Sequence, residues 1–516
     1  MPPEIRIYRS GKLISKQEGV KGETLLRHIS AAGVYIDAPC GGNGRCGKCL
    51  VRLSPVGERT LACRAIIDGD TDVYLSDESE MLINTEFKDR NSEPTPPPAA
   101  SPDANAPLGV AIDIGTTTVV AHLTDLATGA RLATASGVNA QKPFGADVIS
   151  RIQYCAQNNH EILTKLIREQ IASLILRTCA GSAEKTRNIS YVSIAANTIM
   201  AHLAAGYSPV GMGVAPFTPV SLFGAEIPAW DSLPAAKNAK IYFAPAISSY
   251  VGGDITAGML AAGLENTSGP AVYLDIGTNG EIAMKVGDTY YCCATAAGPA
   301  FEGAEITMGM AAVGGAVNHV KWDDELKLSV IGDKEPCGLC GSGLLDALAV
   351  MLETGAVDET GRLVDSNEID HKIAPHIDQK DGKNVFRLTK DDPEIYISAA
   401  DVRKLQLAKA AIAAGIQTLL RHAGIAEEQV ASFILAGGFG SYMDQYSAAR
   451  VGLFPKSFLP VAQTLGNTAG EGAGLALRSE TARAALDDIR KRCEYIELSV
   501  SAVFNEQFVE QMTFDH

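Results

Sequence analysis

Two similar stretches, GVAIDIGTTTVVAHL at residues 109–123 and AVYLDIGTNGEIAMK at residues 271–285, decide the fold of this chain. Each reads as an apolar strand, a turn rich in glycine and threonine or asparagine, and a second apolar strand. We interpret the pair as an internal duplication of two related halves. From residue 108 onward, strand patterns alternate with helical patterns, which is typical of layered α/β folds.

The turn in each stretch follows a strand-end aspartate, Asp113 in the first and Asp275 in the second. Backbone amides and hydroxyls of such a turn can bind phosphate oxygens, and the aspartate can hold hydrated magnesium. A third glycine-rich strand end, FILAGGFG at residues 433–440, offers a surface for a nucleoside. The turn residues with phosphate-binding chemistry are Gly115, Thr116, Thr117 and Thr118 in the first stretch, and Gly277, Thr278 and Asn279 in the second.

These three motifs, in this order, resemble those of the superfamily of acetate and sugar kinases, heat-shock chaperone ATPases and actin. The resemblance implies two duplicated ribonuclease-H-like halves that clamp ATP between them. It also implies that Asp113 and Thr116–Thr118 form a first phosphate loop and that Asp275–Asn279 form a second one. Gly437 and Gly438 would then form the adenosine motif. The alternative interpretation is a set of glycine turns that bind no ligand.

We expect the catalytic carboxylates of this ATPase to be Asp113, Asp275 and Glu281. Either Asp275 or Glu281 could orient the attacking water, and the sequence does not separate these roles.

Four cysteines near the N-terminus have the spacing of a metal-cluster site. Cys40, Cys46, Cys49 and Cys63 are separated by five, two and thirteen residues, and four thiolates are what a 2Fe-2S cluster requires. The glycines of CGGNGRCGKC at residues 40–49 let the backbone curl and direct amide groups at the sulfurs. Zinc is the rival ligand, because four thiolates also satisfy zinc, and four unrelated core cysteines are a third interpretation.

The cysteine segment resembles ferredoxins of the plant and adrenodoxin types, whose β-grasp domain carries such a loop after a helix. Its first gap of five residues is similar to the adrenodoxin variant. Its last gap is shorter than in both types, as in ferredoxin domains fused to larger enzymes. The resemblance therefore implies an N-terminal β-grasp ferredoxin-like domain, and a multi-domain α/β protein as a whole.

The predicted boundaries follow from composition. The run DRNSEPTPPPAASPDANAP at residues 89–107 is rich in proline and alanine and has no apolar periodicity, so we expect an extended linker. The predicted parts are a 2Fe-2S domain (1–86), a linker (87–107) and an actin-like ATPase domain (108–516), the last divided into a first half (about 108–270), a second half (about 271–480) and a C-terminal extension (481–516).

Charge and hydropathy exclude two classes of partner. The 516 residues carry a formal net charge of -16 and contain no cluster of lysine and arginine, so we expect no nucleic-acid partner. No stretch approaches the roughly 20 apolar residues of a membrane span, and the N-terminus lacks an apolar leader segment. With cysteine usage that fits a reducing compartment, we expect a cytoplasmic protein without membrane contact.

Further stretches point to a narrower family: AANTIMAHLAAG (195–206), YVGGDITAGML (250–260), GPAFEGAEITMGM (298–310), CGSGLLD (340–346) and GNTAGEGA (466–473). Together with both domains, they make the whole chain similar to the reductive activators of corrinoid proteins. The resemblance implies an ATP-dependent enzyme that passes one electron from its 2Fe-2S cluster to Co(II) corrinoid and regenerates Co(I) for methyl transfer. The expected cofactors are the cluster, ATP and Mg²⁺.

The implied partners are a corrinoid protein of a methyltransferase system and a low-potential electron donor, and the chain is compatible with a monomer or a homodimer. Two rival functions are a small-molecule kinase with a regulatory cluster and an ATP-coupled electron donor to another enzyme, such as a 2-hydroxyacyl-CoA dehydratase. This chain shows no sugar-binding signature, which argues against the kinase. The dehydratase activators use a 4Fe-4S cluster at a dimer interface, which argues against the second rival.

Several remaining residues were weighed without a role. We interpret the pair Cys337 and Cys340 as structural, because no second half of a metal site follows. Glu302 and Glu305 lie in the glycine-rich stretch at 298–310, which is either a solvated loop or a site of close ligand approach.

Overall fold

The computed structural model describes residues 2–9, 11–32, 34, 36, 38, 49–55, 57, 59–75, 106–303, 305–389 and 394–514. The predicted linker lies almost entirely outside these residues, as do two of the four N-terminal cysteines, Cys40 and Cys46.

The N-terminal part is a small sheet with one helix. Strands β1 and β5 are parallel neighbours at the centre, in the order β2-β1-β5-β3-β4, which is the β-grasp arrangement. Ile5 and Ile7 lie on the same face of β1, because they are two residues apart, and they pack in one buried cluster with Leu25, Leu26 and Ile29 of the helix. The elements are β1 (Glu4–Arg9), β2 (Lys12–Glu18), α1 (Leu25–Ala31), β3 (Leu50–Arg52), β4 (Arg59–Leu61) and β5 (Thr71–Leu75).

The next part of the chain forms a six-stranded sheet with the order β10-β11-β9-β6-β7-β8. Its elements are β6 (Leu108–Ile114), β7 (Thr118–Asp125), β8 (Arg131–Val138), α2 (Val148–Asn158), α3 (Glu161–Thr178), α4 (Ala183–Arg187), β9 (Ile189–Ala196), α5 (Thr198–Ala205), β10 (Glu226–Pro228), β11 (Lys240–Phe243) and α6 (Gly253–Ala261).

A second six-stranded sheet follows, with the order β22-β21-β12-β13-β14-β23, accompanied by two three-stranded sheets. The elements are β12 (Ala271–Ile276), β13 (Gly280–Val286), β14 (Thr289–Thr295), β15 (Ala316–Trp322), β16 (Leu326–Val330), β17 (Gly338–Leu339), α7 (Gly341–Glu353), β18 (Ile377–Lys380), β19 (Lys383–Arg387), β20 (Tyr396–Ser398), α8 (Ala399–Ala423), β21 (Ser432–Ala436), α9 (Gly437–Gly440), α10 (Gln445–Val451), β22 (Ala462–Gly466), α11 (Thr468–Arg478), α12 (Glu480–Arg492), β23 (Cys493–Tyr495) and α13 (Ala502–Glu510).

The two large sheets share one topology. In the first, the antiparallel run β6-β7-β8 is extended on its other side by the parallel strands β9 and β11. In the second, the antiparallel run β12-β13-β14 is extended by the parallel strands β21 and β22. This is the ribonuclease-H-like arrangement, so the predicted duplication of the α/β fold is confirmed.

Packing divides the described chain into two compact units. One contains the described residues up to 261 together with 469–491, and the other contains 262–468 together with 492–514. Helices α11 and α12 therefore belong with the first sheet, where Ala473, Ala476 and Leu486 are buried with Tyr242 and Ala257. The domain boundaries predicted from composition stay a prediction.

Among the described helices, none combines the length and the apolar character needed to cross a bilayer.

The packing of α11 on α6 predicts opposite effects for two glycines of one helix. A Cβ atom at Gly472 would lie 2.1 Å from the backbone oxygen of Ala257, whereas a Cβ at Gly474 meets nothing within 4 Å. We expect Gly472→Ala to destabilise the protein by about 1–3 kcal/mol through overpacking. Gly474→Ala should stabilise it by up to about 1 kcal/mol, because alanine favours helix. Thermal and urea unfolding of the two variants check this, and equal effects would contradict the packing.

Candidate nucleotide and cluster sites

The first predicted phosphate loop is a tight turn between β6 and β7. The Gly115 amide donates to the Thr118 carbonyl across the turn at 2.9 Å, as a closed hairpin requires. The carbonyls of Gly115, Thr116 and Thr117 all accept hydrogen bonds from other parts of the chain. The Asn139 amide donates to Thr117 at 2.8 Å, the Asn139 side chain donates to Gly115 at 2.8 Å, and Arg151 donates to Thr116 at 2.5 Å.

These contacts decide which way the turn presents its amides. In a trans peptide the N–H points opposite to the preceding carbonyl. With the carbonyls held by Asn139 and Arg151, the N–H groups of Thr116, Thr117 and Thr118 point to the opposite side. Such a set of successive amides is an anion-binding surface. The Thr116 hydroxyl is fixed as well, by the Asn197 side chain at 3.1 Å.

Arg151 is the unusual member of this network because its guanidinium has no exposed surface. It donates to the carbonyls of Gly145 (3.0 Å) and Thr116 and to the side-chain oxygen of Gln141 (3.2 Å), all of which are neutral. Burial lowers the pKa of Arg151 to about 9. Asp147 attracts this charge, but the oxygen atoms to which Arg151 donates are neutral, so the negative charge of a phosphate next to Thr116 would stabilise the buried cation further.

The second predicted phosphate loop repeats the turn in the other half. The Gly277 amide donates to the Asn279 carbonyl at 2.9 Å, and β13 begins at once. Asp275 accepts a hydrogen bond from the Tyr273 hydroxyl at 3.1 Å, which in turn contacts the Thr468 hydroxyl at 2.7 Å. Burial raises the pKa of Asp275 to about 6, while the tyrosine bond opposes the rise.

Glu281 and Glu302 both lie near this second loop. Glu281 stands directly opposite Asp275 in the β12–β13 ladder, so the two carboxylates share one face of the sheet. Glu302 accepts a hydrogen bond from the Thr278 hydroxyl at 2.8 Å. The second half thus brings Asp275, Glu281 and Glu302 to one turn.

The third predicted motif joins the second one in the same unit. Strand β21 runs parallel to β12 and ends at Ala436, directly before Gly437, whose φ of +86° favours glycine. A Cβ atom at Gly437 would lie 2.4 Å from a carboxylate oxygen of Asp275, whereas a Cβ at Gly438 meets nothing within 4 Å. Gly437 therefore serves close approach to the second phosphate loop, and Gly438 offers an open surface.

Two of the predicted cluster ligands lie within the described chain. Cys49 and Cys63 are both buried, and neither forms a disulfide. The Ala62 amide donates to the Cys49 carbonyl at 2.7 Å, so the two cysteines flank adjacent ends of β3 and β4. Two buried cysteines at adjacent strand ends fit a thiolate-bound cluster. No group of three or more metal-binding side chains occurs among the described residues, which omit Cys40 and Cys46.

Helix α1 of the N-terminal domain packs on the segment that carries Asn139. The Arg27 guanidinium lies 5.3 Å from the centre of the Phe144 ring. A small cavity separates the two surfaces and is lined by Leu26, Ser30, Val34, Ile36 and Ala38 on one side and Val138, Asn139, Ala140, Lys142 and Pro143 on the other. Asn139 therefore contacts the first predicted phosphate loop and also lies on the surface that faces the N-terminal domain.

The sequence does not mark the residues that hold the first turn. Asn139, Arg151 and Asn197 lie between 23 and 81 positions beyond Thr116, with no spacing that marks them. Only the tight packing of the folded chain brings them to the loop. The stretch at 298–310, which contains Glu302, was the one signal available for the second turn. Cys340 is buried and Cys337 is exposed, and the structural interpretation of that pair stays a prediction.

The duplicated ribonuclease-H-like halves and their turns define an ATP-binding protein of the acetate and sugar kinase, heat-shock chaperone and actin superfamily, joined to a β-grasp domain. Residues 270–516 match the family described as the C-terminal domain of RACo, the ASKHA domain, and residues 108–267 match the RACo middle region. The chain belongs to the RACo family of corrinoid activation enzymes.

Individual relatives cover most of the chain. It is 30% identical to the corrinoid activation enzyme RamQ of Eubacterium limosum, over 97% of this chain and 98% of that protein. It is 25% identical to a [Co(II) methylated amine-specific corrinoid protein] reductase of Methanosarcina barkeri, over 79% of this chain and 77% of that protein. A solved structure of a reductive activator for a corrinoid, iron-sulfur protein is 29% identical, with a TM-score of 0.71, and covers 100% of this chain and 98% of that one.

The charge of Arg151 predicts a selective loss of nucleotide affinity. We expect Arg151→Met to raise the Kd for ATP about 10- to 100-fold, because a charged hydrogen bond that orients the first loop is lost. Arg168→Met is the matched control, since Arg168 also donates to backbone carbonyls, those of Ala204 and Ala205, but does not touch the loop.

Isothermal titration with ATP, together with thermal unfolding, checks this prediction. Both variants should unfold at lower temperature, and only the Arg151 variant should bind ATP more weakly. Equal ATP affinities in the two variants would contradict the assignment.

Proposed function

We propose that this protein is an ATP-dependent reductive activator that returns a protein-bound corrinoid from Co(II) to Co(I). The observation that carries the proposal is the end-to-end similarity to a corrinoid activation enzyme, which extends over both the N-terminal domain and the duplicated ATPase part. The reaction is a one-electron reduction: the chain takes one electron from a low-potential donor and delivers it to cobalt, the substrate. The acceptor would be the corrinoid protein of a methyltransferase system.

The proposed cluster ligands are Cys40, Cys46, Cys49 and Cys63. The burial of Cys49 and Cys63 in adjacent positions supports this assignment, because an enclosed, thiol-lined core is what a cluster needs. When bound, a 2Fe-2S cluster supplies a carrier for a single electron. Four thiolate ligands also require a reducing compartment, which supports the cytoplasm as the location.

The proposed nucleotide site uses the two turns and the glycine motif. Asp113 and Asp275 would hold hydrated Mg²⁺, and the glycine surface at Gly438 would receive the nucleoside. The amides of the first turn face away from Asn139 and Arg151, which supports phosphate binding there. The remaining phosphate-binding groups would be those of Gly115, Thr116, Thr117, Thr118, Gly277, Thr278 and Asn279, with Gly437 shaping the nucleoside surface.

ATP is required in this proposal because the transfer is uphill. For a one-electron couple, each deficit of about 59 mV makes the equilibrium about tenfold less favourable, or about 1.4 kcal/mol. A deficit of a few hundred millivolts therefore needs coupling to nucleotide turnover.

A homodimer is a further proposal, and measurement of the molecular mass in solution decides it.

The cluster assignment predicts a specific loss of iron. We expect Cys49→Ser and Cys63→Ser each to lower iron from about two ions per chain and to remove the visible absorption of the cluster. Cys337→Ser is the control, because Cys337 is exposed and lies outside the N-terminal domain. Iron and sulfide analysis of anaerobically purified chains checks the prediction. Full iron content in both N-terminal variants would refute the ligand set, and zinc in place of iron would favour the rival site.

The activation proposal predicts ATP-dependent formation of Co(I). We expect the cluster-loaded chain, a chemical reductant and a Co(II) corrinoid protein to yield the Co(I) absorption only when ATP is present. Asp113→Asn and Asp275→Asn should slow this reaction at least about 100-fold, because each would lose a magnesium-binding carboxylate. Asp288→Asn, at the β13–β14 turn, is the control. If ATP were consumed without any effect of the corrinoid, and a metabolite became phosphorylated, the kinase alternative would replace this proposal.

A further inference from the structure

Glu302 is carried by a short loop whose backbone leaves it little freedom. A 3-10 turn over Pro299–Glu302 is bounded by Gly298 and Gly303, and both glycines have a φ of +75°. Residues with side chains rarely adopt this conformation, so the sequence GPAFEG fixes both ends of the turn. Gly303 also packs against the backbone of Met310, where a Cβ atom would lie 2.7 Å away.

The loop is anchored on two other parts of the second unit. The buried ring of Phe301 stacks on Phe439 of the glycine motif, with centroids 5.2 Å apart and planes 13° from parallel. The backbone oxygen of Phe301 lies against the first residue of α7, where a Cβ on Gly341 would be 1.8 Å from it. The residue just before Glu302 is therefore held firmly between α7 and the third motif.

The carboxylate itself reaches the second phosphate loop. The buried Thr278 hydroxyl donates to Glu302 at 2.8 Å, while Glu302 remains half-buried rather than enclosed. Asp275 on the same loop is engaged by Tyr273. Glu302 is thus a carboxylate on a rigid loop, and it contacts the second phosphate loop from a separate element. A general base needs such a fixed position.

We propose that Glu302, rather than Asp275 or Glu281, orients and deprotonates the water that attacks ATP; this inference rests on the proposed function. The water oxygen forms a bond to the γ-phosphorus while the bond from that phosphorus to the oxygen bridging it to the β-phosphate breaks. The proton of the water passes to the Glu302 carboxylate. ADP leaves with the bridging oxygen, and inorganic phosphate is the second product.

The test compares three carboxylates in the full, cluster-loaded chain. Steady-state phosphate release gives kcat, and titration with ATP in the presence of Mg²⁺ gives Kd. We expect Glu302→Gln to lower kcat at least about 100-fold with Kd changed less than about threefold, since general base catalysis contributes about 10²- to 10⁴-fold. Glu305→Gln, in the same loop but exposed, is the matched control and should keep both values.

The split between kcat and Kd separates this role from a merely structural one, because a residue that only shapes the site would lose ATP binding together with rate. Glu302→Asp, which keeps a carboxylate, should recover part of the rate, and it also serves if the glutamine variant fails to fold.

The inference is overturned if Glu302→Gln keeps kcat within about threefold, if it loses ATP binding together with rate, or if Glu281→Gln alone lowers kcat at least about 100-fold with Kd unchanged. A native chain that binds no ATP would instead overturn the proposed function, so the two failures are distinguishable.

Discussion

In each half of the ATPase part, a turn follows directly after the aspartate at the end of a strand, and a hydrogen bond within the backbone of the turn closes it. Gly115 closes the first turn on Thr118, and Gly277 closes the second on Asn279. The first turn can present its amides to an anion only because its carbonyls are taken by donors from elsewhere in the fold. The ribonuclease-H-like topology places β7 and β13 so that these turns occur at equivalent strand ends in both halves.

The buried guanidinium of Arg151 is hydrogen-bonded to the first turn, which supports the proposal that this turn binds phosphate. The same network continues outward through Asn139 to the segment on which α1 packs, and the N-terminal domain holds Cys49 and Cys63 in its core. The proposed first phosphate loop and the N-terminal domain thus lie within one compact unit. In the other unit, Glu302 and Phe439 bring two further motifs to the second turn.

The sequence predicts the repeated part of this structure well, because strand periodicity and turn residues are local signals. The duplicated sheets and the β-grasp arrangement of the N-terminal strands are borne out. The residues that orient the turns are not predictable in this way. Arg151 resembles an ordinary helical arginine until folding buries it, and Asn139 acts largely through its backbone and one amide. The sequence pattern also gives no reason to prefer Glu302 over Glu281, because only the folded loop brings Glu302 to Thr278.

In the proposed function, one electron per chain reaches cobalt only with the help of ATP. A single-turnover experiment measures this coupling: the chain is reduced, freed of excess reductant, and mixed anaerobically with an excess of Co(II) corrinoid protein while Co(I) is quantified by its absorption. We expect about one Co(I) per cluster-loaded chain with ATP and very little without it. Equal amounts of Co(I) with and without ATP, or none in either case, would refute ATP-dependent electron transfer.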